Sequence, residues 1–595
     1  MSYRIMGKRA AVSSIALLAA GLIIQDPAAA ADPAPAAWAP PKGQLMTRWA
    51  KDVSPDKVHP EYPRPQMVRA DWMNLNGLWQ LELGVADDPP PVGKDLSMRI
   101  LVPFPVESAL SGVMKRADRL WYRRTFQVPE KWRGQRVMLH FQAVDWESSV
   151  YVNGRLLGGH RGGYDAFSFD ITDALRTSGN QELIVRVFDP TNDGDQPRGK
   201  QAKRARGIWY TPTTGIWQTT WLEPVPAARI DRLLMTPDLD ASCLKLQIEG
   251  VNAANGIIEM VARDGPTEVA RASGGVGSEI QLAIARDKLK TWSPDAPFLY
   301  DLSVTLKLGD RVVDQVQSYF GMRKIALGKD DKGRMRINLN NEAVFHIGPL
   351  DQGYWPDGLY TAPTDEALRY DIEITKKLGF NMTRKHVKIE PARWYYWCDK
   401  LGLMVWQDMP TGDNWKTPKS GIELTPETKT QFEIELRRMV EGFRNHPSIV
   451  MWILFNEGWG QHDTPRYVEM VRKLDSSRLI NSASGWDDAK VGDILDIHMY
   501  RNPKPPPPQP DRAGVLGECG GMPLAFPANA DFAEGSRRYA ELLDKIHGFH
   551  NEQAMSGAVY TQITNVENER NGLLTFDRAV IQVNVDEVAA ANRGR

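Results

Sequence analysis

The sequence predicts a multidomain β plus α/β protein: two β-sandwiches followed by a (β/α)8 TIM barrel. Three observations carry this. Short runs rich in Val, Phe, Tyr and Leu, broken by Gly, Asn, Asp and Pro, extend from Leu75 to Ile325. From Asn338 the periodicity switches, and apolar runs alternate with amphipathic helical stretches. The 595 residues also leave room for about three to five domains of roughly 100–200 residues each.

Residues 1–31 read as a signal peptide. Arg4, Lys8 and Arg9 give a basic start, Ala10 to Ile24 is apolar, and Ala28 to Ala31 offer a small-residue cleavage site. The apolar stretch falls short of the roughly 20 residues a membrane span needs. The expectation is an exported protein, periplasmic or extracellular, with no membrane insertion after cleavage; an uncleaved anchor is the alternative. Residues 32–66 are rich in Pro and Ala and read as a leader. Residues 67–226 contain LNGLWQLEL, LWYRRTFQV, RVMLHFQAV, SSVYVNGRLL and ELIVRVF, a sandwich pattern. Residues 227–326 contain CLKLQIEGV, GIIEMVARD and YDLSVTLKL, and their number suits one immunoglobulin-like sandwich.

Residues 327–595 carry eight strand candidates: VFHIGPL, FNMTRKH, LMVWQDMP, SIVMWILFNE, RLINSASGW, DILDIHMY, GVLGECGG and SGAVYTQIT. Helical patterns lie between them, as at Asp365–Leu378, Glu427–Phe443 and Arg466–Leu474. Eight such repeats argue a barrel, with an open doubly wound sheet as the alternative.

Composition excludes several classes. Seventy-three basic and 74 acidic residues give a net charge of −1, so no basic field exists to hold nucleic acid. Three Cys make no disulfide framework and no zinc-ligand spacing. Ten scattered His include no HExxH pattern. No metal and no cofactor is predicted. The 19 Trp fit a protein that stacks sugar rings, although most Trp simply pack.

Chemistry in a barrel sits at the C-terminal ends of the strands. The apolar run Ile449 to Phe455 ends in Asn456-Glu457, on the fourth strand candidate. The seventh, Val515-Leu516-Gly517, ends in Glu518. A carboxylate after a buried strand is costly unless paired, hydrogen-bonded or used. Two of them on opposing strands suit a glycosidase, with one carboxylate attacking the anomeric carbon and the other donating a proton and then activating water. The acid of such a pair needs a raised pKa, which the neighbouring charge would supply.

Longer strings carry a resemblance. DRLWYRRTFQVP, VDWESSVYVNGRLLGGHRGGYDAFSFDIT, GIWQTTWLEPV, WSPDAPFLYDL, YFGMRKI, NHPSIVMWILFNEGWG and GVLGECGG together resemble glycoside hydrolase family 2 over nearly the whole mature chain. The resemblance implies an N-terminal jelly-roll sugar-binding domain, an immunoglobulin-like domain and a catalytic barrel. It puts Glu457 in the acid/base position and Glu518 in the nucleophile position. It also implies that Asn456 bonds the sugar 2-hydroxyl, that Arg384 lies near the nucleophile, and that His386 contacts substrate or carboxylates. Tyr500 would orient Glu518, while Asp408 and His498 are further candidates for sugar contact. For each of these the alternative is an internal barrel hydrogen bond. Trp355, Trp415, Trp459 and Trp486 follow strands one, three, four and five and are candidates for a stacking wall, or else ordinary packing.

Departures from the family strings bear on specificity. Cys519 follows the nucleophile where an aromatic residue is usual, which predicts a reshaped pocket floor; a Cys nucleophile is the rival reading. The eighth strand lacks the Trp of many related barrels. Where related β-glucuronidases carry Asn-x-Lys for the sugar carboxylate, this chain has Asn565-Val566-Glu567, so a neutral sugar is expected. The resulting expectation is a retaining exo-glycosidase that takes an oligosaccharide or glycoside at its non-reducing end. β-Galactoside is the first choice, with β-mannoside, β-glucoside or α-L-arabinoside behind it. A non-catalytic carbohydrate-binding protein and a transglycosylase are the rivals.

Overall fold

The computed structural model describes residues 38–412, 416–521 and 532–595. The expected signal segment and Trp415 lie outside these residues.

The first sandwich packs a four-stranded antiparallel sheet on a six-stranded one. Period-two burial drives this, as in Glu147–Val152, where Ser148, Val150 and Val152 are buried and their neighbours only half so. Leu81, Tyr122, Leu139, Val150 and Val185 meet in its core. The second sandwich has three strands facing four, and Leu246, Met260, Leu302 and Val316 fill it.

The third part is the expected barrel. Its strands are β1 (His346–Asp351), β2 (Met382–Lys385), β3 (Met404–Asp408), β4 (Ile449–Ile453), β5 (Leu479–Asn481), β6 (Ile494–Met499), β7 (Ala513–Cys519) and β8 (Gly557–Tyr560). All eight strand candidates hold. The parallel ladder runs β5-β4-β3-β2-β1-β8-β7-β6. Side chains bridge the remaining seam: Asn481 Nδ2 and Ser484 Oγ donate to Asp496 Oδ2 of β6 at 2.7 and 2.6 Å. Every residue of β1 to β5 is buried, which is why these strands read as continuous runs. Inside the barrel, Leu350, Met382, Trp406, Val450, Val515 and Val559 pack on Ile325, Ile337 and Leu339. Those last three lie on a small sheet that closes the lower end. The helices begin where capping chemistry allows. Thr364 caps α1 (Asp365–Lys377) by accepting from Ala367 N, and Thr425 precedes α2 (Pro426–Phe443), whose first residue is a proline.

The leader expectation needs correction over its described part. Thr47 donates through N and Oγ1 to Asp357 at 2.9 and 2.6 Å, Trp49 packs edge-on against Trp355, and Arg64 pairs with Glu223 at 2.8 Å. Residues 38–66 are therefore a strap bound to both sandwich and barrel. Their Pro and Ala content hid it, because the few large side chains that anchor it follow no helix or strand period.

Several carboxylates sit buried near the strap. Burial pushes Glu107 up to about 8, although Thr214 N donates to Oε2 at 3.0 Å; its Oε1 has no partner. A raised folded value means full stability below the ordinary carboxylate range, lost as pH rises towards 8. Glu107→Gln keeps the shape and the Thr214 contact. Its melting temperature is expected to exceed that of the parent protein at pH 8 and to match it near pH 4, as read by calorimetry.

Candidate active site

Glu518 is the penultimate residue of β7, and its side chain points into the barrel mouth. Gly517 before it admits the Asp496 carboxylate: a Cβ there would lie 2.2 Å from Oδ1, and Gly517 N donates to that oxygen at 2.6 Å. Arg384 at the end of β2 is fully buried and organises the floor. It donates to Asp408 at 3.0 and 2.9 Å, to Asn456 Oδ1 at 2.7 Å and to Glu518 Oε1 at 3.3 Å. A guanidinium fork held on one side by Asp408 presents its remaining donors to the nucleophile position and the Asn.

Glu457 lies beyond β4 with φ +52°, an uncommon conformation for a residue with a side chain. Its N donates to Ser484 O at 2.7 Å, which holds the turn. The carboxyl oxygen Oε1 meets His498 Nδ1 at 2.9 Å and Tyr500 OH at 3.0 Å. Tyr500 OH also reaches Glu518 Oε2 at 3.0 Å. One hydroxyl thus touches both carboxyl groups, and oxygens of Glu457 and Glu518 and a ring nitrogen of His498 lie within 4.8 Å of one another.

Hydrogen bonds tie His498 to three neighbours. Ser484 gives its one hydroxyl hydrogen to Asp496, so its oxygen accepts from His498 Nε2 at 2.8 Å, and Arg384 Nη1 lies 3.4 Å from the same nitrogen. Nδ1 faces Glu457 Oε1, so one proton lies between the ring and that carboxyl. Burial alone would lower His498, but the Glu518 charge and the Glu457 hydrogen bond raise it above 6.5. Burial likewise pushes Glu457 up, yet the His498 hydrogen bond and charge outweigh it and hold Glu457 below its usual value. This corrects the expectation of a raised acid. Both directions favour the proton on His498 over Glu457, across the hydrogen bond that joins them. Tyr500 has one hydrogen for two carboxyl oxygens, so its double contact is fully satisfied only when a carboxyl carries a proton. The proton store is therefore shared among these groups.

Glu457, His498 and Glu518 have metal-ligand spacing. Arg384 beside Glu518 already brings a positive charge to this cluster.

Two buried polar atoms beside the carboxylates have no partner. Asn456 Oδ1 is taken by Arg384, leaving Nδ2 free to donate. Gln352 gives its amide hydrogens to Gln562 at 2.8 Å, so its oxygen accepts from His386 Nδ1 at 2.9 Å. His386 Nε2 then carries a lone pair, 3.6 Å from Glu518 Oε1, with Asn456 as its polar neighbour but no bond of full geometry. Burial and the charges of Lys200, Arg384 and His498 keep this ring neutral. A donor and an acceptor, both orphaned and both about nine-tenths or more buried, suit sugar hydroxyls.

Other candidates fall elsewhere. Asp408 accepts from Arg384 through both oxygens and from Val387 N, and so holds the floor. Trp355 is 2% exposed, under Arg578 and against Trp49, and belongs to the packing. Trp459 is buried against Trp209 of the first sandwich at 5.1 Å. Trp486 is 56% exposed, with its ring 6.3 Å from His498. Trp486→Ala is expected to raise KM roughly five- to tenfold with kcat little changed, the size of a single stacking contact. A steady-state comparison checks this.

Cys519 points away from the mouth. It packs with Leu516, Tyr539 and Leu543 on the outer side of β7, so the floor is not reshaped by it. Burial and the Glu518 charge push its thiol up to about 12, which removes it as a nucleophile at ordinary pH. Sequence reasoning missed Gln352, Ser484, Asp496 and Thr561, the last 3.4 Å from Glu518 Oε2. It also missed Lys200 and Trp209 from the first sandwich. No strand-end rule finds residues that another domain contributes.

Residues 69–209 match the family model for glycosyl hydrolases family 2, sugar binding domain; residues 228–323 match glycosyl hydrolases family 2; residues 361–509 match its TIM barrel domain. The chain belongs to glycoside hydrolase family 2. Among curated family 2 relatives, a β-galactosidase of Thermoanaerobacter pseudethanolicus is 30% identical over 407 residues, covering 64% of this chain and 50% of that protein. A putative β-glucuronidase of Formosa agariphila is 28% identical over 378 residues, covering 61% and 34%. The alignments thus span half or less of these relatives' own length. Among solved structures, the β-glucuronidase of Ruminococcus gnavus superposes with a TM-score of 0.74 at 16% identity, over 91% of this chain and all of that one. That of Dictyoglomus thermophilum gives 0.73 at 18%, over 90% and 99%. The family 2 order of jelly roll, immunoglobulin-like sandwich and barrel is what the strands build.

Proposed function

We propose that this chain is an exported retaining exo-glycosidase, with Glu518 as nucleophile and Glu457 as acid/base. The carrying observation is the close approach of their oxygens, within 4.8 Å and bridged by Tyr500. Retaining pairs stand roughly 5–5.5 Å apart, whereas inverting pairs leave about 6.5–9.5 Å for a water. Arg384 donates to Oε1 of Glu518, and Tyr500 and Thr561 hold its second oxygen. Glu518 attacks the anomeric carbon as the glycosidic bond breaks. The leaving oxygen takes the proton held on the His498–Glu457 pair, delivered by Glu457. Glu457 then removes a proton from water, which displaces Glu518 and releases the sugar with its configuration retained. Asn456 Nδ2 and His386 Nε2 serve the hydroxyls of the bound ring.

β-Galactoside is the first glycone to test, since a 30% identical relative bears that name and Glu567 replaces the expected Lys. β-Glucuronide is the second reading. Glu567 Oε1 accepts from Thr211 N at 2.9 Å and is committed to the first sandwich, so its charge does not by itself bar an acid.

A nitrophenyl glycoside panel with the purified protein tests the proposal. One glycoside should be cleaved with a clear preference. Binding of oligosaccharides without cleavage of any would favour the carbohydrate-binding rival.

A further inference from the structure

A loop of the first sandwich enters the barrel mouth. Arg198 N and Gly199 N both donate to Thr411 O, after β3, at 3.1 Å. Gly199 has φ +60°, and a Cβ there would lie 2.5 Å from Val387 O, after β2, so only glycine lets the loop pass. Gln201 then anchors it, donating to Asp145 at 2.7 Å and to Tyr164 at 3.1 Å and accepting from Thr213 N at 2.6 Å. Between these fixed points stands Lys200.

Lys200 is 5% exposed. Its ammonium lies 5.4 Å from the ring of Trp459, two residues past Glu457, and 5.8 Å from those of Trp209 and Tyr210. Among the described residues no carboxylate lies within 4 Å of it, although the neighbouring lysines Lys203, Lys385 and Lys388 all pair with one. Its charge is felt at both Glu457 and His386. Aromatic faces attract a cation but supply no acceptor for its three hydrogens. A nearly buried lysine with no carboxylate partner is costly, and here a loop fixed at Gly199 and Gln201 holds its ammonium beside Trp459.

Resting on the retaining-glycosidase reading, we propose that Lys200 is a specificity-determining cation that pairs with an anionic group of an acidic saccharide. Two sources supply that chemistry: a uronic acid as the departing glycone, or an acidic sugar as the leaving group on a neutral glycone. Lys200 would take the carboxylate of the bound acidic sugar.

The test uses the full-length mature protein, Lys200→Met and Lys200→Arg, with melting temperatures recorded for each. The substrates are nitrophenyl galactoside and glucuronide, a neutral disaccharide, and a disaccharide with a neutral glycone on a uronic acid. The proposal expects Lys200→Met to lower kcat/KM on one acidic substrate roughly tenfold or more beyond any change on the neutral substrates, mainly through KM. Arg should retain most of the preference. Loss on the glucuronide marks the glycone as the source, and loss on the uronic-acid disaccharide marks the leaving group. Calorimetry of glucuronate and galacturonate against glucose and galactose, on Glu518→Gln protein, reads the glycone preference without turnover. Equal effects of Lys200→Met on acidic and neutral substrates, or no acidic preference in the parent protein by either readout, would overturn it. If Glu518-dependent cleavage occurs without discrimination by Lys200, this inference alone fails. If nothing is cleaved, the function proposed above fails.

Discussion

Glu518→Gln is expected to reduce kcat on any glycoside the protein cleaves by roughly 10⁴-fold or more, about 5.5 kcal/mol of transition-state stabilisation. The amide keeps the shape but cannot attack the anomeric carbon. It also leaves Arg384 without one of its anions, while the two bonds from Asp408 still hold the guanidinium. Folding should therefore survive, and circular dichroism with a melting curve verifies that the loss is chemical. A variant that keeps more than a few per cent of activity would move the nucleophile elsewhere.

Glu457→Ala is expected to behave differently with different leaving groups. For an alcohol or sugar leaving group, activity should fall by roughly 10²–10⁴-fold, the usual weight of general acid catalysis. A dinitrophenyl leaving group needs no proton, so its glycosylation step should be nearly spared and its burst preserved. Water then attacks slowly, and azide should restore turnover by replacing it. The pH profile carries the matching sign. His498 has a raised value, so the proton is present below it and lost as pH rises through it. The alkaline limb of kcat/KM is expected above 6.5, and for dinitrophenyl substrates of the Ala variant that limb should flatten. An unchanged limb would show that the His498–Glu457 pair is not the proton source.

The two carboxylates were legible because buried barrel strands are long, apolar and end abruptly. Ile449 to Phe455 and Val515 to Gly517 leave no other place for a charge than the mouth. Arg384 and Asn456 could be carried over from family strings, and the structure bonds Arg384 to both Glu518 and Asn456. The bonding of His498 was not legible, since it joins Asp496 and His498 on β6 to Ser484 after β5 and Glu457 after β4. The packing of Trp355 and the double occupation of Asp408 were hidden for the same reason: a residue at a strand end looks alike whether a substrate or an arginine takes its lone pairs. The strap at 38–66 has no periodicity to detect. Lys200 lies in a polar loop of the first sandwich, and only the tertiary fold carries it to the barrel.

The central claim is that Glu518 forms a covalent bond to the sugar. Its most direct test is mass spectrometry of peptides after incubation with the 2-deoxy-2-fluoro dinitrophenyl form of the glycoside that the panel selects. The account predicts one added fluoroglycosyl group, on the peptide containing Glu518, formed in step with a burst of dinitrophenol and absent from Glu518→Gln. A label on another residue, or turnover with inverted product and no label, would contradict it.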